Sequence, residues 1–200
     1  MARTIAKDHD DKREAILKGA ARLFADEGYG RASMAQVAQA CGISKANIYH
    51  YYNSKEALLF DILDAHLSGL RDQIAGLRHV SDDPERQLRT ITREILVAYK
   101  GREAEHGVQL NAIRALPGDQ QAVLIAYQRD LVAEVRDRLA RLAPPALAAD
   151  RSAMRALTMS YFAMVNWHFQ WDDQADEAGR ADYAEMICDL LLGGMPQVGR

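Results

Sequence analysis

Apolar residues in this chain recur at three- and four-residue spacing almost from end to end, and alternating apolar and polar runs are nearly absent. A period near 3.6 residues is that of amphipathic helices, so the chain is confined to an all-α fold. Gly and Pro positions punctuate the pattern and divide it into about nine helices. The first runs from about Asp11 to Glu27, with Ile16, Ala20, Leu23 and Phe24 on one face and Gly28 just past its end, a residue suited to a left-handed terminal position. Ser33 caps a short second helix, Gln36 three residues on completes a capping box, and Met34, Val37, Ala38 and Cys41 form its apolar stripe. After the turn at Gly42, Ser44 caps a third helix of about eight residues, and Ser54 caps a long fourth. The fourth carries Leu58, Leu59, Ile62, Leu63, Leu67, Leu70, Ile74 and Leu77 on one side. At 1.5 Å per residue it reaches roughly 35 Å, enough to connect two domains.

Beyond the His79–Asp83 loop, Asp83 and Pro84 start a helix that turns Leu88, Ile91, Ile95 and Tyr99 inward. Gly101 and Gly107 loosen the chain before a short helix from Val108 to Leu116, which Pro117-Gly118 ends. A long helix follows, with Leu124, Tyr127, Leu131, Val135 and Leu142 aligned, and Pro144-Pro145 stops it. Two last helices, about Asp150–Gln170 and Asp182–Leu192, flank the acidic, Gly-containing loop Asp172–Gly179, while Met1–Asp8 and Gly193–Arg200 read as frayed ends.

With 48% apolar residues in 200, the chain can bury a substantial core. Its net charge is -3, yet residues 1–60 carry nine Lys/Arg against seven Asp/Glu, an imbalance too small to identify a nucleic-acid partner by itself. Cys41 and Cys188 stand far apart and suggest no disulfide framework, and no signal segment opens the chain, which fits a cytoplasmic protein. The most apolar run, Met154–Trp171, is interrupted by Asn166, His168 and Gln170, so it reads as a buried helix and not a membrane span. Enzymatic signatures are missing: there is no Gly-rich phosphate loop, no G-x-S-x-G elbow and no His-x-x-x-His pair, and the six histidines are dispersed. No cofactor or metal is expected, and Cys41 reads as a small packed thiol.

The second and third helices, joined by a Gly-containing turn and braced by the first, have the arrangement that lays a helix in the DNA major groove. Ile48 and Tyr52, four apart, face the core with Ile43, leaving Ser44, Lys45, Asn47, Tyr49, His50 and Tyr51 outside. Two phenols, an amine, an amide and an imidazole can donate to phosphates or meet base edges, whereas an ordinary exposed helix favours Glu, Arg and Lys. Lys55 and the free N–H groups at the start of the fourth helix add an anion site, completing a phosphate clamp.

The stretch ILKGAARLFADEGYGRASMAQVAQACGISKANIYHYYNSKEALL, Ile16 to Leu59, resembles the DNA-binding domain of the TetR family of bacterial regulators. It carries the Ala-Ala-x-x-Leu-Phe helix, the Gly-Tyr turn, the Ser cap, the Gly-Ile-Ser turn and the Tyr-x-x-Tyr-x-Ser-Lys-Glu-x-Leu ending. The resemblance implies that Ser33, Tyr49 and Lys55 hold phosphates while Lys45, Ala46, Asn47 and His50 face bases; Tyr52 stands where the family usually has Phe. It also implies a DNA-binding domain over residues 1–54 and an effector-binding and dimerisation domain over 55–200. The homodimer would form through the last two helices, with Met154, Leu157, Tyr161, Met164, Val165, His168 and Phe169 on one and Tyr183, Met186, Ile187, Leu190 and Leu191 on the other. It would bind a palindromic double-stranded operator, because one short helix gives too few contacts for specific binding.

In the family, filling an effector pocket moves the connecting helix and changes the spacing of the two recognition helices. The candidate lining residues are Tyr99, His106, Arg114, Tyr127, Met164, Asn166, Trp167 and Trp171. AMVNWHFQW, ending at Trp171, the ADYAEMICDLLLGGM segment and YHYYNSKEALLFDILDAHL are similar to regulators of fatty-acid and phenylacetic-acid breakdown. That similarity implies an acyl-CoA effector, with Arg89, Arg93 and Arg114 as candidates for the CoA phosphates. A hydrophobic drug or lipid effector, as in efflux regulators, is the alternative.

Overall fold

Residues 2–79, 81–172 and 174–198 are described by the structure, a computed structural model. Met1, Gly199 and Arg200 of the ends expected to fray, Val80 of the first expected loop and Asp173 of the acidic one lie outside the described residues. Every regular element among the described residues is helical. The described residues form ten α-helices: α1 Ala2–Glu27, α2 Met34–Ala40, α3 Lys45–Tyr51, α4 Lys55–Gly76, α5 Pro84–Ala98, α6 Glu103–Ala112, α7 Gly118–Leu142, α8 Pro145–Ala149, α9 Arg151–Trp167 and α10 Glu177–Gly194. Short 3-10 turns follow α4, α6, α9 and α10.

The caps explain most boundaries. Ser33 and Gln36 form the expected capping box, with Ser33 N–H donating to the Gln36 amide oxygen at 2.9 Å. Ser44 accepts from Asn47 N–H at 3.1 Å, Asp83 from Glu85 N–H at 3.0 Å and Asp150 from Ser152 N–H at 2.8 Å. Gly28 ends α1 at a φ of 84°, the conformation its lack of a Cβ permits.

Four boundaries differ from expectation. α1 begins at Ala2, nine residues before Asp11, because no Gly or Pro interrupts that stretch. Gly107 lies inside α6, whose other residues outweigh a single glycine. Pro144-Pro145 stops α7, but Pro145 then occupies the first position of α8, where its missing N–H costs nothing. α10 starts at Glu177 and not Asp182, because Asp176 caps it by accepting from Gly179 N–H at 2.8 Å.

Packing divides the chain into two compact units, Met1–Ser68 with Ala104–Ile125, and Gly69–Glu103 with Ala126–Arg200. The division expected at residues 54 and 55 falls at the start of α4, whereas packing divides that helix between Ser68 and Gly69. In the first unit Ile16, Ala20, Phe24, Val37, Ile48, Leu58, Leu59 and Ile62 are buried. Gly19 lets α1 and α2 approach closely: a Cβ there would lie 2.8 Å from Cys41 Sγ. In the second unit α5 packs chiefly on α10, and Ile74, Leu88, Ile91, Ile95, Leu131, Val135, Tyr161, Val165 and Ile187 share one core. That core holds a polar thread in which Tyr161 donates to Thr92 at 3.2 Å and Cys188 Sγ meets the same hydroxyl at 3.4 Å. Arg180 is buried as well, donating to Glu103 at 2.7 Å. No described helix is long and apolar enough to cross a membrane.

Candidate nucleic-acid interface

α3 is seven residues long and presents two chemically distinct sides. Ile48 is fully buried and Tyr52, its C-cap, nearly so, and both anchor the helix to the first unit's core. Ser44, Lys45, Ala46, Asn47, Tyr49 and His50 are exposed, which makes one contiguous set with donors at its start, middle and end. Lys45 brings the charge, Asn47 an amide chemically able to pair with adenine, and Tyr49 and His50 groups able to hydrogen-bond a phosphate or a base edge. Ser33, exposed at the start of α2, uses its hydroxyl in the cap, accepting from Gln36 N–H at 3.3 Å and donating to the Gln36 amide oxygen at 2.8 Å.

Tyr51 differs from the outward position expected for it. Its ring is half-buried, stacked on His9 of α1 at 5.0 Å and edge-on to His50 at 5.7 Å. Lys55 differs more. Its ammonium donates to the carbonyls of Tyr29 and Ala32, each at 2.8 Å, and sits 4.4 Å over the Tyr29 ring. Two of its three donors therefore brace the start of α4 against the turn between α1 and α2. Ser54 takes Ala57 N–H at 3.1 Å, so the N–H groups at that helix start are also partly used.

A brace that sequence reasoning missed lies behind α3. The Tyr52 hydroxyl donates to Asp61, whose carboxylate also receives the Arg13 guanidinium, with Nε at 3.0 Å. Burial and the Asp61 carboxylate push the Tyr52 phenol well above its ordinary range, so it stays a donor. Tyr in place of the family's usual Phe thus adds a third point of attachment between α1, the end of α3 and α4. The only sequence signal was that hydroxyl, with an Asp nine residues on. Cys41, half-buried at the end of α2 with Sγ 3.8 Å from Ile16 O, has its thiol pushed up by burial, as a packed side chain does.

The residues proposed for an effector pocket are distributed over both units. His106 is buried in the first, its ring 5.9 Å from that of His66, and Arg114 is exposed there. In the second, Tyr99 is buried and donates to Asn166 at 3.0 Å, with Met164 partly buried against the same core. Tyr127 is half-buried beneath the Arg71 guanidinium, 4.3 Å from its ring centroid. Trp167 is 60% exposed and Trp171 57%, the latter edge-on to His168 and Tyr183. Within the second unit the structure joins Tyr99 to Asn166 and leaves both tryptophans at the surface.

A three-helix head with a capped, seven-residue helix exposing Lys45, Asn47, Tyr49 and His50 defines a helix-turn-helix DNA-binding protein. Residues 16–62 match the model for bacterial regulatory proteins of the TetR family, and residues 81–195 match that for the tetracyclin repressor-like C-terminal domain. The chain belongs to the TetR family of transcriptional regulators, which are not enzymes. It is 26% identical to the HTH-type transcriptional repressor NicS of Pseudomonas putida, covering 95% of each chain. A TetR-family regulator from Bordetella parapertussis shares 36% identity, with a TM-score of 0.84 over 94% of this chain and 97% of that one. AibR, solved in complex with isovaleryl coenzyme A and operator DNA, is 26% identical with a TM-score of 0.74 over 90% of this chain and 98% of its own.

Proposed function

We propose that this regulator is a repressor of a catabolic operon. It binds a palindromic operator as a homodimer and is released by an acyl-CoA thioester such as phenylacetyl-CoA. The observation that carries the DNA-reading half is the outward face of α3, where Lys45, Asn47, Tyr49 and His50 are exposed on a helix anchored by Ile48 and Tyr52. Ser33, Ser44 and Tyr49 take phosphates in this reading, and Lys45, Ala46, Asn47 and His50 read bases. Lys55 contributes its remaining donor and its charge from a braced position. Met159 and Trp167 on α9 and Met186 and Leu190 on α10 are large exposed apolar side chains, suited to burial against a second copy.

The effector class is supported by the similarity to AibR, which was solved with isovaleryl coenzyme A and operator DNA together. In this reading the Tyr99–Asn166 pair, in the unit whose core Met164 also packs against, offers an acyl group a polar anchor. An acyl-CoA that prefers the splayed form shifts the population away from the form that spans both half-sites. Fluorescence anisotropy with a fragment of the protein's own promoter region, with and without a panel of acyl-CoA thioesters, tests both halves. Salt-sensitive binding released by one thioester is expected. Tight binding indifferent to every thioester would reject the effector class, and release by an apolar drug or lipid would replace it.

A further inference from the structure

His9 lies on α1 upstream of residues 16–62, the part of the head that matches the family model. Its imidazole is exposed to solvent yet held in place, stacked on the Tyr51 ring with centroids 5.0 Å apart and planes 27° from parallel. Tyr51 meets His50 edge-on at 5.7 Å and 86°, and His50 belongs to the outward face of α3. The stack therefore adjoins that face. Four residues on, along the same side of α1, Arg13 turns its guanidinium onto Asp61, which also accepts the Tyr52 hydroxyl. The seam between α1 and the end of α3 is thus fastened at two levels, by the Asp61 brace and, one turn nearer the start of α1, by the His9–Tyr51 stack.

The brace needs no imidazole beside it, and any flat ring would stack on Tyr51. What sets an imidazole apart is that it gains a charge between about pH 5 and 8. A charged ring is held more firmly over a phenol face, and it donates more strongly to an anion than a neutral ring does. The charged groups on the elements around the stack are Asp10, Lys12 and Arg13 of α1 and Asp61 of α4, and α3 adds His50 and the phenols of Tyr51 and Tyr52. Asp61 is occupied by Arg13 and Tyr52, and Asp10 is an exposed carboxylate 3.8 Å from His9 Nδ1. A duplex brings far more negative charge than that one carboxylate, about one phosphate for every 1.7 Å of its axis. At 1.5 Å per residue α3 is about 10 Å long, against a major groove about 12 Å wide, so a ring beside its last residue lies near a phosphate strand.

We propose that His9 is a further DNA contact of this regulator, meeting a backbone phosphate in its protonated form from its seat on Tyr51, so that binding takes up a proton. The inference rests on α3 as the DNA-reading helix and needs no particular effector. Lowering the pH through the imidazole range strengthens binding, and raising it weakens binding. Because phosphate carries no sequence information, the effect holds for any duplex.

The test is fluorescence anisotropy at fixed ionic strength, at about pH 6 and about pH 8, with the promoter fragment and with a duplex of unrelated sequence. Wild type should bind both more tightly at the lower pH. His9→Phe keeps a ring on Tyr51 but takes no proton, and should reduce the ratio of the two affinities roughly threefold, what an exposed ion pair supplies. His9→Arg carries its charge at both pH values and should bind more tightly than wild type at the higher one, with a salt slope steeper by about one. A stack that serves structure alone would move the melting temperature of the free protein and leave the ratio as it is. A His9→Phe ratio equal to that of wild type, which assigns the pH dependence to His50, overturns the proposal. So does His9→Arg binding no tighter than wild type at the higher pH. Either result leaves α3 standing as the DNA-reading helix, whereas wild type that binds neither duplex removes both.

Discussion

Gly19 sits in the middle of α1, where an alanine would ordinarily stabilise the helix by about 1 kcal/mol. The 2.8 Å approach of its missing Cβ to Cys41 Sγ reverses that sign, because either the thiol or the helix must move. Gly19→Ala alone should therefore lower stability by about 1 kcal/mol or more, read from urea unfolding. With Cys41→Ala as well, the nearest remaining atoms stand at 3.9 Å and the double variant should be at least as stable as Cys41→Ala itself. Equal effects of Gly19→Ala in both backgrounds would remove the contact from the account. His168 makes a second residue-scale case. Buried beside Tyr183 and Trp171, and facing Arg180 in charge, it has its pKa lowered by burial first and by that cation second. The folded state thus holds a neutral ring, and below the unfolded value of about 6.5 the unfolded chain binds the proton more readily. Stability should be full above that pH and fall as pH drops below it. His168→Phe should flatten this part of the profile, and a thermal-unfolding series that retains the full slope would assign it to other groups.

At the scale of elements, α3 divides stability from recognition. Ser44→Ala removes the acceptor for Asn47 N–H and should cost about 1 kcal/mol of stability. Asn47→Ala should leave stability near wild type and relax preference among operator variants, while Lys45→Ala should lower the salt slope of binding by about one. Lys55→Met tests the brace: it leaves the Tyr29 and Ala32 carbonyls without their donor, so melting temperature should fall together with operator affinity. A variant that loses affinity at unchanged melting temperature would return Lys55 to a purely phosphate-contacting role. These elements also mark what could be read in advance. The caps at Ser33, Ser44 and Asp83 and the apolar stripe of α5 were legible because their partners lie within four residues along the chain. The carbonyls that hold Lys55 are 23 and 26 residues away, so residue type alone pointed that side chain elsewhere, whereas Tyr52 was legible as a core residue but not the carboxylate nine residues on that takes its hydroxyl. The start of α10 was missed because Gly179 in its first turn resembled a loop, although Asp176 was already its cap.

For the whole molecule, charge offers little help in reaching DNA, since the net value is -3. In the proposed reading affinity comes from recognition faces acting in pairs, because one seven-residue helix supplies too few contacts to do it alone. The pairing surface proposed here is the apolar face of α9 and α10, where Leu190 is 60% exposed and Met186 49%. A stable association buries about 1,600 Å² in total, and its centre tolerates no unpaired charge. Leu190→Glu with Met186→Lys should therefore yield a folded monomer by sedimentation velocity, since neither side chain belongs to the chain's own core. Operator affinity should drop toward the non-specific level, on the order of 10³-fold, because each chain then meets a half-site alone. If the double variant stays dimeric, the chains pair through another surface. If it becomes monomeric but keeps its operator affinity, a single head suffices, and the paired-site reading fails while the assignment of α3 stands.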